Sequence, residues 1–196
     1  YEPLTHIPTI FKENVNLDLG KKLASQFCPI HTNILEEIQT LYKKYFLGKT
    51  TLGIMARGTE MLQFHLDYPK VKSNTWATII SEYLQKYPNI DNIFVVTDDN
   101  EILENILEFY PDIVYFKDFF RKTTQPDHLI GQYRHKPWWL TPLDGDILTH
   151  RKKTGKECII QSTLLSKCPH VIGAHSGVTN GAYFFNNTPF TQFTVI

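Results

Sequence analysis

Cysteine, surplus charge and long hydrophobic runs are all scarce in this chain of 196 residues. Its 3 cysteines are far apart and form no CxxC pair, which argues against a zinc site. Its 20 basic and 20 acidic residues balance, so the composition predicts neither a nucleic-acid partner nor an anionic membrane surface. No apolar run approaches the roughly 20 residues of a membrane-spanning helix, so no transmembrane segment is expected.

The chain does contain enough apolar material for a core, and that material alternates between two patterns. Hydrophobic residues make up 42% of the sequence. Short continuous apolar runs, typical of buried strands, occur at 51–56, 93–96, 113–116, 171–174 and 190–196. Helical periodicity occurs at 33–47, 76–87, 102–110, 156–168 and 177–187. This alternation predicts an α/β fold: a doubly wound, mostly parallel, Rossmann-like sheet with helices on both faces.

The ends and breaks of this pattern give the expected domain organisation. Residues 1–30 contain three prolines and little periodicity, so we expect a linker or surface arm, broken at Gly20. Residues 31–196 are expected to form the domain, with Asn33 and Glu36 as a capping box at its first helix. Residues 117–150 interrupt the rhythm and are expected to be structureless, which in a compact domain is typical of a functional or a mobile segment.

The most informative position is Arg57, which directly follows the first predicted strand. Gly58 and Glu60 come shortly after it. In an open α/β sheet, ligands bind at the carboxyl ends of the strands. Arginine is planar, always charged and able to donate two parallel hydrogen bonds, which suits phosphate. The sequence therefore predicts a phosphate contact at Arg57, while an ion pair of Arg57 with Asp98 or Glu60 remains the structural alternative.

Two further predicted strands end in polar clusters, Thr97-Asp98-Asp99 and His175-Ser176-Gly177. The amides of Gly177 and Val178 would open a helix, whose amino end favours an anion. The predicted diphosphate site thus combines Arg57, Ser176 and these amides, with Asp98 and Asp99 binding sugar hydroxyls or ordering the loop.

Each of these polar residues also has a purely structural interpretation, which the sequence leaves open. Asp98 with Glu101 forms a capping box, and Ser176 is an ordinary N-cap residue. A histidine at the position of His175 often hydrogen-bonds at a strand end. Asp144 and Asp146 have the DxD form of metal-dependent sugar transferases, but Asp-Gly-Asp is also a common turn.

Three stretches in this order resemble the fucosyltransferase-like superfamily, which includes protein O-fucosyltransferases, α1,2- and α1,6-fucosyltransferases and nodulation fucosyltransferases. They are residues 53–60 (GIMARGTE), residues 94–99 (FVVTDD), and residues 155–168 (GKECIIQSTLLSKC) continuing to residues 176–179 (SGVT). The resemblance covers the chain from about residue 33 to its end.

The resemblance implies the carboxyl-terminal, nucleotide-sugar-binding half of a GT-B glycosyltransferase, with residues 1–30 as a linker or remnant of the acceptor side. It implies that Arg57 contacts the β-phosphate of GDP-fucose, that Ser176 contacts the phosphates, and that the reaction inverts the anomeric centre without a metal or other cofactor. Met55 stands where the family has His, and Gln161 where it has Asp; in relatives both positions help to read guanine. The donor base therefore stays open.

The expected function is a glycosyltransferase that uses a nucleotide sugar, foremost GDP-fucose, and a glycan or protein hydroxyl as acceptor. Arg57, Glu60, Asp98 and Asp99 are the expected catalytic residues. The expected donor contacts are Arg57, Gly58, Gln161, His175, Ser176, Gly177 and Val178. Two alternatives remain: a nucleotide-sugar-binding module without turnover, and a metal-dependent transferase that uses Asp144 and Asp146.

Overall fold

The computed structural model describes residues 17–27, 29–57, 75–121, 147–174, 176–186 and 190–195. The helices in these residues are α1 (Leu17–Phe27), α2 (Thr32–Tyr45), α3 (Thr75–Lys86), α4 (Asn100–Phe109), α5 (Ile147–Leu165) and α6 (Gly177–Phe185). The strands are β1 (Thr51–Ala56), β2 (Asn92–Thr97), β3 (His170–Gly173) and β4 (Gln192–Val195). Within these ranges, no helix has the length and apolar character needed to cross a lipid bilayer.

The strands form one parallel sheet in the order β2-β1-β3-β4. Ile54 of β1 lies opposite Val95 of β2 on one side and Ile172 of β3 on the other. Because the three strands run in the same direction, their carboxyl ends meet at one edge of the sheet. This edge carries the polar clusters that follow β1, β2 and β3.

Helices cover both faces of the sheet, as the predicted fold requires. All six residues of β1 are buried, which is typical of a central parallel strand. Met55 belongs to a core cluster on one face, whereas Leu52, Ile54 and Ala56 belong to a cluster on the other. The first cluster includes residues of α2, α5 and α6, and the second includes residues of α3 and α4. The predicted α/β, doubly wound fold is therefore confirmed.

The predicted strand at 113–116 is reduced to a single parallel bridge between Val114 and Phe94 of β2. Val114 exchanges backbone hydrogen bonds with Ile93 and Val95, at N···O distances of 2.8 and 2.9 Å. Two residues further on, the carbonyl of Phe116 accepts a hydrogen bond from Arg121 Nη2 at 2.7 Å. An arginine side chain, rather than a strand neighbour, thus bonds the backbone here, and the ladder ends.

Two sequence-based expectations near the start of the described chain are wrong. α1 passes through Gly20 without a break, and Lys21 Nζ lies 5.0 Å from the ring centre of Tyr183 on α6. Contact with α6 offsets the roughly 1 kcal/mol that glycine costs inside a helix. At α2, the N-cap is His31, whose Nδ1 accepts from the backbone N–H of Asn33, so Asn33 does not cap the helix.

α5 begins at Ile147, nine residues before the predicted helix start at residue 156. The expected structureless segment is therefore wrong for residues 147–150, while residues 122–146 lie outside the described chain. Most residues of the early part of α5, including Arg151, Lys152 and Lys153, are exposed. A polar, exposed helical turn has no apolar periodicity, so the pattern could not reveal it.

Two glycines allow α5 to pack closely on its neighbours. A Cβ on Gly53 of β1 would lie 2.8 Å from Leu165 Cδ2 and 3.0 Å from Cys168 Sγ. A Cβ on Gly181 of α6 would lie 2.8 Å from Ser162 Oγ. The absence of a side chain at these positions fixes how closely α5 approaches the central strand and α6.

At the amino edge of the sheet, a tyrosine and a histidine form a buried polar pair. The Tyr83 hydroxyl lies 3.1 Å from Nδ1 of His170, which is 2% exposed. Burial lowers the pKa of His170 below its ordinary value of 6.5 and raises the pKa of Tyr83, to which neighbouring Tyr87 also contributes. Native His170 is thus held neutral in a pH range where an exposed histidine binds a proton.

We expect Gly53→Ala to lower the free energy of unfolding by about 1–3 kcal/mol, because the added methyl overpacks the contact with Leu165 and Cys168. Gly155→Ala is the matched control, since a Cβ there meets no atom within 4 Å and Gly155 lies inside a helix. The control should raise the free energy of unfolding by about 0.5–1 kcal/mol. Urea unfolding measures both, and equal effects of the two changes would contradict the packing model.

We expect His170 to make the protein less stable as the pH falls below 6.5. At such pH values the imidazole binds a proton in the unfolded chain but not in the native one. The free energy of unfolding therefore decreases as the pH falls. His170→Gln can still accept from Tyr83 but cannot titrate, so its unfolding free energy should change less between pH 5 and 7, measured by urea titration. An unchanged pH dependence in His170→Gln would contradict this assignment.

Candidate functional site

Arg57 lies immediately after β1, at the carboxyl edge of the sheet. Its side chain is 17% exposed, and its Nε atom lies 3.6 Å from Oδ2 of Asp98, which follows β2. Nε is itself buried and, within the part of the chain that the structure describes, donates no hydrogen bond. The ion pair of Arg57 with Asp98, which the sequence left open as a structural alternative, is therefore present. Asp98 nevertheless does not accept a hydrogen bond from Nε.

The cap of α4 is Asp99, so the expected capping box of Asp98 with Glu101 is wrong. Asp99 Oδ1 accepts from the backbone N–H of Glu101 at 2.8 Å and of Ile102 at 3.4 Å. Thr97 Oγ1 in turn accepts from the backbone N–H of Asp99 at 3.2 Å, which places the helix start one residue later. Burial raises the pKa of Asp99, and the two backbone hydrogen bonds oppose that rise. Asp99 thus serves the helix, and Asp98 serves Arg57.

Ser176 is the N-cap of α6 and is 4% exposed. Its hydroxyl accepts from the backbone N–H of Thr179 at 3.1 Å and lies 2.9 Å from Thr179 Oγ1. Thr179 donates its only hydroxyl proton to the carbonyl of Ala174 at 2.7 Å, so Ser176 is the donor toward Thr179. In this arrangement the hydroxyl proton of Ser176 is donated to Thr179 Oγ1. The prediction that Ser176 is an N-cap residue is confirmed.

The first turn of α6 nevertheless offers backbone donors at the same edge as Arg57. Gly177 and Val178 are its first residues, and the first N–H groups of a helix have no partner within it. Gly177 is exposed, and a Cβ there would meet no atom within 4 Å. The backbone of Ala174 also pairs with Met55 of β1, at an N···O distance of 2.9 Å, so β3 delivers α6 beside the end of β1.

One face of α5 forms a further side of this edge. Gln161 is 9% exposed and lies one turn after Cys158. Burial raises the pKa of the Cys158 thiol; Glu157 and Asp98 also raise it, whereas Arg57 lowers it. Cys158 therefore lies within electrostatic reach of the Arg57–Asp98 pair. Sequence reasoning missed it, although its spacing of three residues from Gln161 on a predicted helix was a usable signal.

A second polar group, absent from the predicted site, fixes the loop at 116–121 against α5. Glu157 Oε2 accepts from the backbone N–H of Phe120 at 3.0 Å. Arg121 donates to three carbonyls of the same loop, those of Phe116 at 2.7 Å and of Lys117 and Phe119 at 3.4 Å. Burial lowers the pKa of Arg121 and raises that of Glu157. This loop follows the Val114 bridge and therefore lies next to the end of β2.

Several predicted residues cannot be placed. Gly58, Glu60 and His175 lie outside the described residues, as do Asp144 and Asp146. Met55, at the family histidine position, is 3% exposed and packs in the core. Within the described ranges, no group of three or more His, Cys, Asp or Glu side chains is placed to hold a metal ion.

The described part of the edge thus combines Arg57, which lies beside Asp98 without a hydrogen bond from its Nε, and the amino end of α6, whose first amides have no partner within the helix. Both donate hydrogen bonds and carry positive or partially positive charge. Chemically, such an arrangement suits an anion with several oxygens, placed between the ends of β1 and β3.

No protein-family model and no curated protein sequence matches the chain. Solved structures that resemble it include an α-1,6-fucosyltransferase NodZ soaked with GDP-fucose, with 17% identity and a TM-score of 0.49. Others are NodZ from Bradyrhizobium, with 14% identity and a TM-score of 0.46, and NodZ co-crystallised with GDP, with 17% identity and a TM-score of 0.43.

These matches cover 79% of this chain but only 41–42% of the NodZ chains. The chain therefore spans less than half the length of the proteins it matches.

Proposed function

We propose that this chain is the nucleotide-sugar-binding half of a glycosyltransferase, which transfers fucose from GDP-fucose to a hydroxyl of a glycan or protein. The observation that carries the proposal is the state of Arg57, a partly exposed guanidinium at the carboxyl edge of the central strand. Its buried Nε–H donates to no acceptor among the described residues. A buried donor without a partner is costly, and a phosphate oxygen would remove that cost.

The reaction requires stabilisation of a leaving group rather than of the acceptor. The acceptor oxygen forms a bond to C1 of the sugar while the bond between C1 and the β-phosphate oxygen breaks, which inverts the anomeric centre. The nucleoside diphosphate leaves with the bonding electron pair, and the acceptor hydroxyl loses its proton to a base. Because negative charge grows on the diphosphate in the transition state, Arg57 stabilises that state more than the ground state.

The donor would occupy the edge between β1 and β3. In this proposal, Arg57 contacts the β-phosphate, and the amides of Gly177 and Val178 receive phosphate oxygens at the amino end of α6. Asp98 holds the guanidinium in place. Gln161, on α5, lies on the side expected for the base, and the reaction proceeds without a metal ion.

We expect Arg57→Ala to lower kcat/KM by about a hundredfold to a thousandfold, by analogy with removal of one oxyanion-stabilising donor. Arg57→Lys keeps the charge but loses the planar pair of donors, so its loss should be smaller. Release of GDP from GDP-fucose in the presence of hydroxyl acceptors measures this effect, with thermal unfolding as the check on folding.

Near-normal turnover in Arg57→Ala would contradict the proposed mechanism. Binding of GDP without transfer to any acceptor would instead indicate a nucleotide-sugar-binding module. Ligand at 100 times its Kd adds about 2.7 kcal/mol of stability, so thermal unfolding with GDP, UDP, ADP and their sugars reveals the base that is preferred.

We expect a comparison of Ser176→Asn with Ser176→Asp to separate two effects at this position: capping of α6, and the effect of a negative charge on binding of the diphosphate. Both residues are good N-caps and have the same size, so the two variants should have similar stability. A carboxylate within the phosphate site repels the diphosphate, so Ser176→Asp should weaken GDP binding at least tenfold relative to Ser176→Asn, about 1.4 kcal/mol. Calorimetry measures both affinities, and equal values would place the diphosphate elsewhere.

A further inference from the structure

The amino-terminal half of α5 carries a basic face that the donor site described above does not use. Residues 147–156 contain no Asp or Glu, and four cations lie within six residues: Arg151, Lys152, Lys153 and Lys156. All four are exposed. We call these four residues the basic face of α5.

The spacing of this charge lowers the stability of the helix. Lys152 and Lys156 are four residues apart on α5, and like charges at that spacing repel each other. A local arrangement that lowers stability and has no evident structural benefit is typical of a functional surface.

Acidic neighbours neutralise only half of the basic face within the described chain. Lys156 forms an ion pair with Glu37 of α2, and Lys153 Nζ lies 3.9 Å from Glu157 Oε1. Among the residues that the structure describes, neither Arg151 nor Lys152 forms an ion pair. Two exposed cations of the basic face therefore have no acidic partner within the described ranges.

The geometry of the sheet places these cations above the edge that carries Arg57. Leu165 and Cys168 contact β1 at Gly53, and Arg57 is four residues further along, about 13 Å at the rise of a strand. Because α5 runs opposite to the strands, about nine helical residues cover that distance, which brings residues near 156–158 level with Arg57. The electrostatic effect of Arg57 on Cys158 agrees with this level. Residues 147–155 therefore extend beyond the edge of the sheet.

The face of α5 that approaches Arg57 continues upward to one of the two unneutralised cations. Arg151 precedes Cys158 by seven residues, two helical turns, so the two lie on the same side of the helix. Gly155 lies between them, and a Cβ there would meet no atom within 4 Å. A Cβ at Gly155 thus has free space around it, and this face of α5 leads from Arg151 toward the level of Arg57.

We propose that the basic face of α5 attracts the dianionic nucleotide sugar and speeds its association with the site at Arg57. This inference rests on the proposed function for the identity of the anion. A one-sign field beside a cleft raises the local concentration of an oppositely charged ligand and its association rate, and salt screens that effect.

The test compares two double variants that remove the same charge. Arg151→Gln with Lys152→Gln removes the unneutralised cations, whereas Lys43→Gln with Lys44→Gln removes two exposed lysines in the last turn of α2, at the opposite edge of the sheet. Stopped-flow mixing with a fluorescent GDP measures the association rate constant. The α5 variant should associate about tenfold more slowly at low ionic strength and like the native protein near 1 M salt, whereas the α2 control should match the native protein throughout.

A second readout, thermal unfolding without ligand, does not depend on catalysis. The α5 variant should have a slightly higher Tm than the native protein, because it removes the repulsion between Lys152 and Lys156, which are four residues apart. The α2 variant should have a lower Tm, because its lysines lie at a helix carboxyl end. Equal association rates for all three proteins, or a lower Tm for the α5 variant, would overturn the inference.

If the native protein binds no nucleotide, the proposed function fails while the inference is still tested with inorganic pyrophosphate by calorimetry. Pyrophosphate binding that weakens in the α5 variant but not in the α2 control would support the basic face as an anion-attracting surface. Absence of pyrophosphate binding would overturn the inference as well.

Discussion

The close contact of α5 with Gly53 is the constraint on which the rest of the site depends. A residue with a side chain at this position would push against Leu165 and Cys168, which are both buried. Since protein interiors are packed at the density of organic crystals, either these two side chains or the whole helix would have to move. The packing of α5 on β1 at Gly53 therefore influences where Cys158, two helical turns before Leu165, lies relative to Arg57.

The polar groups at the sheet edge divide two tasks between adjacent acids. Asp99 satisfies the backbone of α4, and Asp98 balances the charge of Arg57. Because Asp98 provides charge without accepting the Nε–H, the guanidinium is stabilised against burial and still has a donor to offer. An arginine whose donors all bond to an acid would serve only as a structural cross-link. Here the Nε–H of Arg57 can still donate a hydrogen bond to a ligand.

The sequence predicted the strands and the helices that face the core, because burial imposes the apolar periodicity that such predictions use. β1 was predicted with its observed bounds of 51–56, and the position of Arg57 at its end followed directly. The first nine residues of α5 escaped prediction because exposed helical residues carry no apolar signal. The bridge at Val114 was predicted as a strand because its residues are apolar, although an arginine side chain ends the ladder there.

The candidate site was less predictable than the fold, since local and long-range contacts compete at the same positions. The cap of α4 moved from Asp98 to Asp99 because Thr97 bonds the backbone of Asp99, a difference of one residue that decides which acid faces Arg57. Glu157 and Cys158 became visible only when α5 was placed on the sheet. Met55 is buried in the core, where its side chain packs against other apolar residues and is not directed to the solvent side of the sheet edge.

At Gly181 and Ser162, α5 and α6 are packed so closely that a side chain at position 181 would meet Ser162 Oγ. The electropositive face of α5 and the amide end of α6 therefore keep a fixed spacing, and any shift of one helix carries the other with it. A side chain at position 181 should therefore lower the stability of the fold and change the spacing of the proposed donor contacts together.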